Sequence, residues 1–284
     1  MACHNRRSST LASLRALDKS AQLRARSLRL ELFVTDDGST DDTAEAIQRE
    51  FPQAHVLRGN GHLYWNGGMR KAFSAAQLSK PDFFLWLNDD TTLYPEALCV
   101  LLDQAKILID EGHIPIIVAS VVDPSTGRVS YGGVQQHPYV RGKFQLIQPA
   151  GLAQRCSTMN GNCVLISREA MELAGNLDPA FVHGGGDFDY GLRATSHGCS
   201  VWVAPGTLGE CTTNSNVQPW LARNLPLRER IRQILSPKGL PARPWFVFTR
   251  RHTGILWPVY WSYPYVKLLV QHFVQSISFR RSAG

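Results

Sequence analysis

The 284-residue chain has no Cys-x-x-Cys pair, no G-x-G-x-x-G glycine fingerprint and no long apolar run, and each absence removes a class of protein. Its six cysteines (Cys3, Cys99, Cys156, Cys163, Cys199 and Cys211) are scattered without metal-ligand spacing. Neither a zinc module nor a disulfide framework is expected, and free thiols in a reducing compartment follow. No stretch reaches the roughly 18 consecutive apolar residues of a membrane-spanning helix. Met1 to Arg7 lacks the apolar core of a secretory leader, so a cytoplasmic location is expected. Gly67-Gly68 lacks the spacing of a dinucleotide-binding turn. His62, His183 and His197 show no His-x-x-x-His spacing and read as loop or surface histidines.

Acidic side chains are scarce in one region only. Leu221 to Gly284 holds 11 Lys and Arg against a single acidic residue, Glu229, a balance of +10; the rest of the chain carries 19 basic and 22 acidic side chains, or −3. Only the tail is strongly basic, and such a tail expects a polyanionic neighbour. With 44% hydrophobic and 19% charged residues, the composition suits an ordinary α/β core and excludes disorder as the main state.

Along the chain, strand and helix patterns alternate. Ser8 and Ser9 could cap a helix carrying Leu11, Leu14, Leu17 and Leu23. Leu30 to Thr35 reads as a strand ending at Asp36, and Ser39 with Asp42 resembles an acidic capping box for a helix to about Glu50. A short strand follows at His55 to Leu57, and Asn66-Gly67-Gly68 opens a helix toward Leu78. Phe83 to Leu87 is a continuous apolar run, as in a strand covered on both faces, and it ends in Asn88-Asp89-Asp90. Pro95 opens a helix to about Glu111. A hairpin is expected at 116–134, a strand over Asn162 to Ser167, helices over Arg168 to Ala174 and Asp187 to His197, and a last strand over Ser200 to Val203. This order predicts a doubly wound, mostly parallel sheet flanked by helices. Beyond about Asn216 prolines punctuate basic and aromatic residues, and Pro258 and Pro264 are expected to break any long helix there.

Three acidic clusters stand out. Asp36-Asp37 and Asp89-Asp90 both close strands, where ligands bind in open α/β sheets. Singly, each is as readily a turn or a helix cap. Together, uncompensated carboxylates at one sheet end call for a cation or ligand donors between them, and one or two carboxylates completed by water and phosphate oxygens suit Mg²⁺ or Mn²⁺. The third cluster, HGGGDFDYGLR, sets Asp187 and Asp189 at a helix start, where the dipole favours carboxylates. The glycines before Asp187 permit close approach and leave it a candidate general base.

HNRRSSTLASLRAL, FVTDDGSTDDT, LYWNGGMRKA, LWLNDDT, NGNCVLISREA, LDPAF and GDFDYGLRA appear in order over Met1 to Pro205. Together they resemble the family 2 inverting nucleotide-sugar glycosyltransferases of GT-A fold. The resemblance implies a domain over 1–215 and a basic, aromatic extension over 216–284. It implies a nucleoside-diphosphate sugar donor held by His4, Asn5, Arg6, Asp36, Asp37, Trp65, Asn66, Gly67 and Asp89, with Asp37 at the base and Asp36 supporting its turn. Asp90 is the implied ligand of Mg²⁺ or Mn²⁺, Asp187 the implied catalytic base, and Asn160, Gly161 and Asn162 a loop at donor or acceptor. The acceptor is a glycan or lipid-linked hydroxyl in cell-envelope polysaccharide synthesis. LYWNGGM leans toward a rhamnosyltransferase-like enzyme using dTDP-linked deoxysugar. Two departures accompany the likeness: Gly186 stands where the family has a glutamate, and only Met1, Ala2 and Cys3 precede His4, so the first strand is short or truncated.

In the tail, Arg223, Arg228, Arg230, Arg232, Lys238, Arg243, Arg250 and Arg251 alternate with Trp245, Phe246, Phe248, Trp257, Tyr260, Trp261, Tyr263 and Tyr265. Rings mixed with cations suit the inner face of the cytoplasmic membrane, which is the favoured reading; rings packed on the catalytic domain with the cations as a solvated face are the alternative. A nucleic-acid partner would leave the acidic clusters unexplained, so none is expected. Two further alternatives share the layout: a sugar nucleotidyltransferase, which wants a glycine-rich phosphate loop where His4-Asn5-Arg6-Arg7 stands, and a catalytically impaired relative acting as a binding protein.

Overall fold

The apolar run Phe83–Leu87 is the strand around which the layers form. The computed structural model describes residues 1–24, 27–213, 219–222 and 224–282. In chain order its elements are β1 (Ala2–Cys3), α1 (Arg7–Gln22), β2 (Phe33–Asp36), α2 (Thr43–Glu50), β3 (His55–Arg58), α3 (Tyr64–Gln77), β4 (Phe83–Leu87), β5 (Thr92–Leu93) and α4 (Ala97–Asp110). Next come β6 (Pro115–Val122), β7 (Val129–Tyr131), β8 (Gly133–Gln136), β9 (Phe144–Leu146), β10 (Gln154–Cys156), β11 (Thr158–Met159), β12 (Cys163–Ser167), α5 (Arg168–Ala174), α6 (Gly186–Ser196) and β13 (Ser200–Glu210). The extension holds α7 (Leu227–Ile234), α8 (Ala242–His252) and α9 (Trp257–Ser282). The expected boundary at 215/216 and Arg223 lie outside the described residues.

β1, β2 and β3 form a parallel ladder. The larger sheet runs β10-β13-β6-β12-β4, with β13 parallel to β6 and β12 antiparallel to both β6 and β4. β4, β6 and β13 therefore point one way, and the α/β architecture with a mostly parallel sheet holds.

Side chains alternate across this sheet with the period of a strand. Leu87, Ile117 and Leu165 face α1, α2 and α4, burying Leu14, Leu17, Ile47, Leu101 and Leu108. Phe84, Trp86, Ile116, Val118, Val164 and Ile166 face the other way, against Met69 and Phe73 of α3, Ala170 of α5 and Tyr190 of α6. Both faces of β4 are thus covered, which is why its sequence carries no polar residue.

β1 has two residues, and a Cβ on Gly68 would come within 2.7 Å of Ala2 Cβ, so α3 lies directly on it. A cavity of about 770 Å³, lined by Met1, Phe33, Val34, Phe84 and Trp86 together with charged side chains such as Arg29, Glu31 and Lys106, lies between β2 and β4. The Met1 ammonium donates to Phe33 O at its edge, and burial lowers its pKa to about 6.

Several expected boundaries move. No Ser8 or Ser9 side chain caps α1; Ser9 Oγ donates instead to Asp89 O at 2.6 Å. α2 begins at Thr43 because Ser39 turns back to the Asp36 carboxylate instead of capping. α3 begins at Tyr64, before the glycines, and β13 continues through Pro205 and Gly206 to Glu210 across two irregularities in its pairing with β6. The largest correction is α9, which runs through both prolines. Pro258 sits in the first turn, where its missing N–H has no helical partner to lose. Pro264 frees the carbonyl of Tyr260, and the Trp245 indole N–H from α8 donates to that oxygen at 3.2 Å.

Candidate active site

The ends of β1, β2 and β4 meet at the acidic clusters. Asp36 is fully buried; its carboxylate accepts from Ser39 N and from Arg58 Nη1 at 3.0 Å, so it supports the turn. Asp37 turns the other way and accepts from the backbone N–H groups of Gly61 (2.9 Å), Leu63 (2.8 Å) and Tyr64 (2.9 Å). Gly59 allows this, since a Cβ there would fall 2.8 Å from Asp37 Cα. His4 Nδ1 donates to Asp37 O at 2.7 Å, and Asn5 is laced to Ser39 and Thr40. The residues after β1 and β2 thus form one rim, with His4, Asn5 and Thr40 exposed and Asp37 buried beneath them.

Across this rim lies Asn88-Asp89-Asp90. Arg6 Nη1 donates to Asp89 Oδ1 at 3.2 Å and to Asp90 Oδ2 at 2.5 Å, so one guanidinium serves two carboxylates. Burial pushes the Asp89 carboxyl up to about 6, with Arg6 opposing and the Asp90 charge adding to the rise. Cys211 Sγ lies 3.6 Å from Asp90 Oδ1 and accepts from Asn162 Nδ2 at 3.4 Å. Among the described residues no three His, Cys, Asp or Glu side chains gather as a ready metal cage.

Trp65 joins the second cluster to the third. Its indole N–H donates to Asn88 Oδ1 at 2.7 Å, and its ring lies so close to Gly161 that a Cβ there would come 2.6 Å from Cη2. Gly161 N–H in turn donates to Asp187 Oδ2 at 3.0 Å. Burial raises the Asp187 carboxyl above the usual carboxylate range, opposed by the Gly161 and Phe188 N–H groups. Asn160 Oδ1 accepts from Gly132 N–H, which ties the same loop to the start of β8.

Asn66 is fully buried and donates to the carbonyls of Asp178 (3.0 Å) and Phe181 (2.9 Å), so it braces the 178–181 loop, while its Oδ1 has no partner among the described residues. It also fills the space beside Gly186: a Cβ there would lie 2.8 Å from Asn66 Cγ and closer still to Oδ1. Gly67 packs on Leu63. The three histidines do not assemble: His62 is exposed, His197 bonds Leu173 O on another face, and His183 lies edge-on to Tyr64 with its pKa lowered by burial.

A cavity of about 420 Å³ opens in front of Asp187, walled by Asn160, Phe144, Phe188, Trp245 and Phe248. Two of these come from α8 of the extension, a contribution the tail's composition does not reveal. The anchoring of α8 was equally hidden. Asp189, fully buried, accepts from Arg193 (2.7 Å), Arg251 (3.0 Å) and His252 (2.9 Å), and Arg251 also pairs with Asp178 at 2.6 Å. Burial alone would raise its carboxyl; His252, Arg193 and Arg251 hold it below the ordinary value. Arg193 at i+4 was a readable signal, whereas Arg251 is 62 residues away.

Acidic strand ends and the half-buried Asp187 carboxylate over an aromatic cavity, on a mixed α/β sheet, outline an α/β enzyme cleft. The profile of Glycosyl transferase family 2 matches residues 1–173, and the chain belongs to that family. No curated protein matches the sequence. The crystal structure of S. aureus TarS superposes with a TM-score of 0.53 at 14% identity, over 88% of this chain and 41% of that one. S. aureus TarS 1-349 gives 0.50 at 15% identity, over 87% and 68%. The chain thus spans well under half of the longer TarS chain, and likeness at this identity speaks for the fold alone.

Proposed function

We propose that the chain transfers a sugar from a nucleoside-diphosphate donor to a hydroxyl of a glycan or lipid-linked acceptor, with inversion, in cell-envelope polysaccharide synthesis. The observation that carries this reading is the Asp187 carboxylate. It has a raised pKa, is held by the Gly161 N–H at the mouth of an aromatic cavity, and is joined through Trp65 and Asn88 to the Asp89-Asp90 pair. A carboxylate so placed takes the proton of an acceptor hydroxyl as its oxygen attacks the anomeric carbon, in a single displacement without a covalent intermediate.

His4, Asn5, Arg6 and Asp37 form the rim for the nucleotide, with Asp36 behind it. Trp65 and Asp89 face the donor sugar or ribose, and Gly67 lies at the adjacent helix start. The donor set fits a divalent ion, Mg²⁺ or Mn²⁺: two carboxylates share one guanidinium, leaving an unbalanced charge, and neither belongs to a preformed cage. Asp90 would hold it beside Asp89, and it would supply charge neutralisation to the departing diphosphate. Arg6 keeps both carboxylates together until the donor enters. Aromatic walls from α8 and β9 suit the apolar face of a sugar ring in the acceptor.

Calorimetry against UDP, dTDP and GDP, with and without Mn²⁺, tests this. Metal-dependent binding of one nucleotide, lost in Asp90→Ala, is expected, and preference for dTDP would support a deoxysugar donor such as rhamnose. Folded protein that binds none of the three overturns the reading in favour of a non-catalytic relative.

A further inference from the structure

Helix α9 exposes an apolar stripe that the transfer reaction does not use. Val259, Tyr263, Val266, Val270 and Phe273 follow i, i+4, i+7, i+11, i+14 spacing on one helical face, and each is 52 to 64% exposed. Ile255 and Leu256, just before the helix, lengthen the stripe. The opposite face is occupied. Leu268 is buried with Trp220 and Ile234, Tyr265 donates to Leu240 O, and the Trp261 indole donates to Ala242 O. α9 is therefore apolar on both sides, with a protein neighbour on one.

The charges around the stripe select its partner. The Arg250 guanidinium lies 5.8 Å from the Trp257 ring and the Lys267 ammonium 5.8 Å from the Tyr263 ring. Aliphatic side chains in a row, with rings and cations along the margin, match an interfacial segment: rings at headgroup level, cations at phosphates. A second copy of the chain would set one extension of charge +10 against another, and like-charge repulsion opposes that pairing. A surface rich in anionic phosphates satisfies both the apolar stripe and its cations. Among the described residues no helix is long and apolar enough to cross a membrane, so α9 would lie in the interface.

We propose that α9 docks the protein on an anionic membrane surface. Val259, Val266, Val270 and Phe273 then enter the acyl boundary, while Arg250 and Lys267 meet lipid phosphates. The docking helix is joined to the cavity at Asp187: the Tyr260 ring packs on Gly142, which lines that cavity with Trp245 and Phe248. Docking therefore keeps the cavity beside the bilayer. It stands independently of the donor chemistry and survives if nucleotide binding fails.

Co-sedimentation of the full chain with phosphatidylcholine vesicles, with and without phosphatidylglycerol, tests the proposal. Binding to the anionic vesicles alone is expected, with release as salt rises from about 50 mM to about 500 mM. The double substitution Val266→Asp, Val270→Asp should lower the bound fraction at least about tenfold while the thermal midpoint stays near that of the parent. Leu152→Asp, at an exposed apolar residue away from α9, should bind like the parent. Parent protein left in the supernatant with anionic vesicles overturns the proposal, as does a double variant that binds undiminished. A dimer that the same substitutions dissolve, with no vesicle binding, assigns the stripe to a second copy instead.

Discussion

Replacing Gly186 with alanine adds one methyl group at a position where Asn66 already fills the space. The added Cβ would lie 2.8 Å from Asn66 Cγ and 3.4 Å from Phe181 Cβ. Backbone strain plays no part, since the left-handed residue is the preceding Gly185 at φ 84°. Two effects oppose each other. Alanine is the better helix former by up to about 1 kcal/mol inside a helix, and less at the first position, where Gly186 stands. Overpacking costs about 1–3 kcal/mol, and displacing Asn66 leaves the carbonyls of Asp178 and Phe181 without their donor, at about 1–3 kcal/mol each. The clash wins, and a net loss of about 3 kcal/mol is expected from urea unfolding. The decisive assay is the cycle with Asn66→Ala. Once the amide is gone, Gly186→Ala should cost almost nothing, giving a coupling of at least about 1 kcal/mol. A Gly186→Ala protein as stable as the parent, or a strictly additive double variant, refutes the packing argument. By the same reasoning, Gly186→Glu, which restores the glutamate expected before the catalytic aspartate, gains no activity while Asn66 remains.

Two further outcomes follow from the carboxylates of α6. Asp187→Asn should lower turnover by about a hundredfold to ten-thousandfold while nucleotide affinity measured by calorimetry is unchanged. In the parent, the acidic limb of the rate profile should lie above the ordinary carboxylate range, because burial raises that group. Asp189→Ala leaves Arg193, Arg251 and His252 around an empty site and should destabilise by about 3 kcal/mol in the same unfolding assay. Because the folded-state pKa of Asp189 is depressed, the stability it contributes is present above the ordinary aspartate value and lost as pH falls through the depressed one. A parent whose stability does not fall over that acid range more than that of Asp189→Ala would contradict this.

The sheet and the positions of the acidic clusters were legible because their signals are local. The apolar run of β4, the carboxylates that end β2 and β4, and the glycines before Asp187 each lie within a few residues. What escaped sequence reading depends on partners far along the chain. Pro264 was expected to end a helix, and nothing near it announces that the Trp245 indole takes up the carbonyl it frees. Arg6 reads as a nucleotide contact, while its guanidinium lies between two carboxylates 83 and 84 residues away. Asn66 was placed near the donor by resemblance alone, and the glycines after it serve the close approach of α3 to β1 and to Leu63.

The extension is more than an appendage to the transferase unit, because α6 is held from both sides. Its first turn carries Asp187, bound to Gly161 of the turn before β12, and two residues later Asp189, bound to Arg251 and His252 of α8. A helix turn rotates as a body, so the direction of the Asp187 carboxylate depends on both anchors. The family profile ends at residue 173, before either carboxylate, and the cations that fix Asp189 from α8 lie further still. With a glycine at 186, no second carboxylate repels Asp187, and its raised pKa rests on burial alone. Trp245 and Phe248 of α8 line the cavity onto which Asp187 opens, so the surroundings of the proposed base and the seating of the extension meet at a single turn of helix.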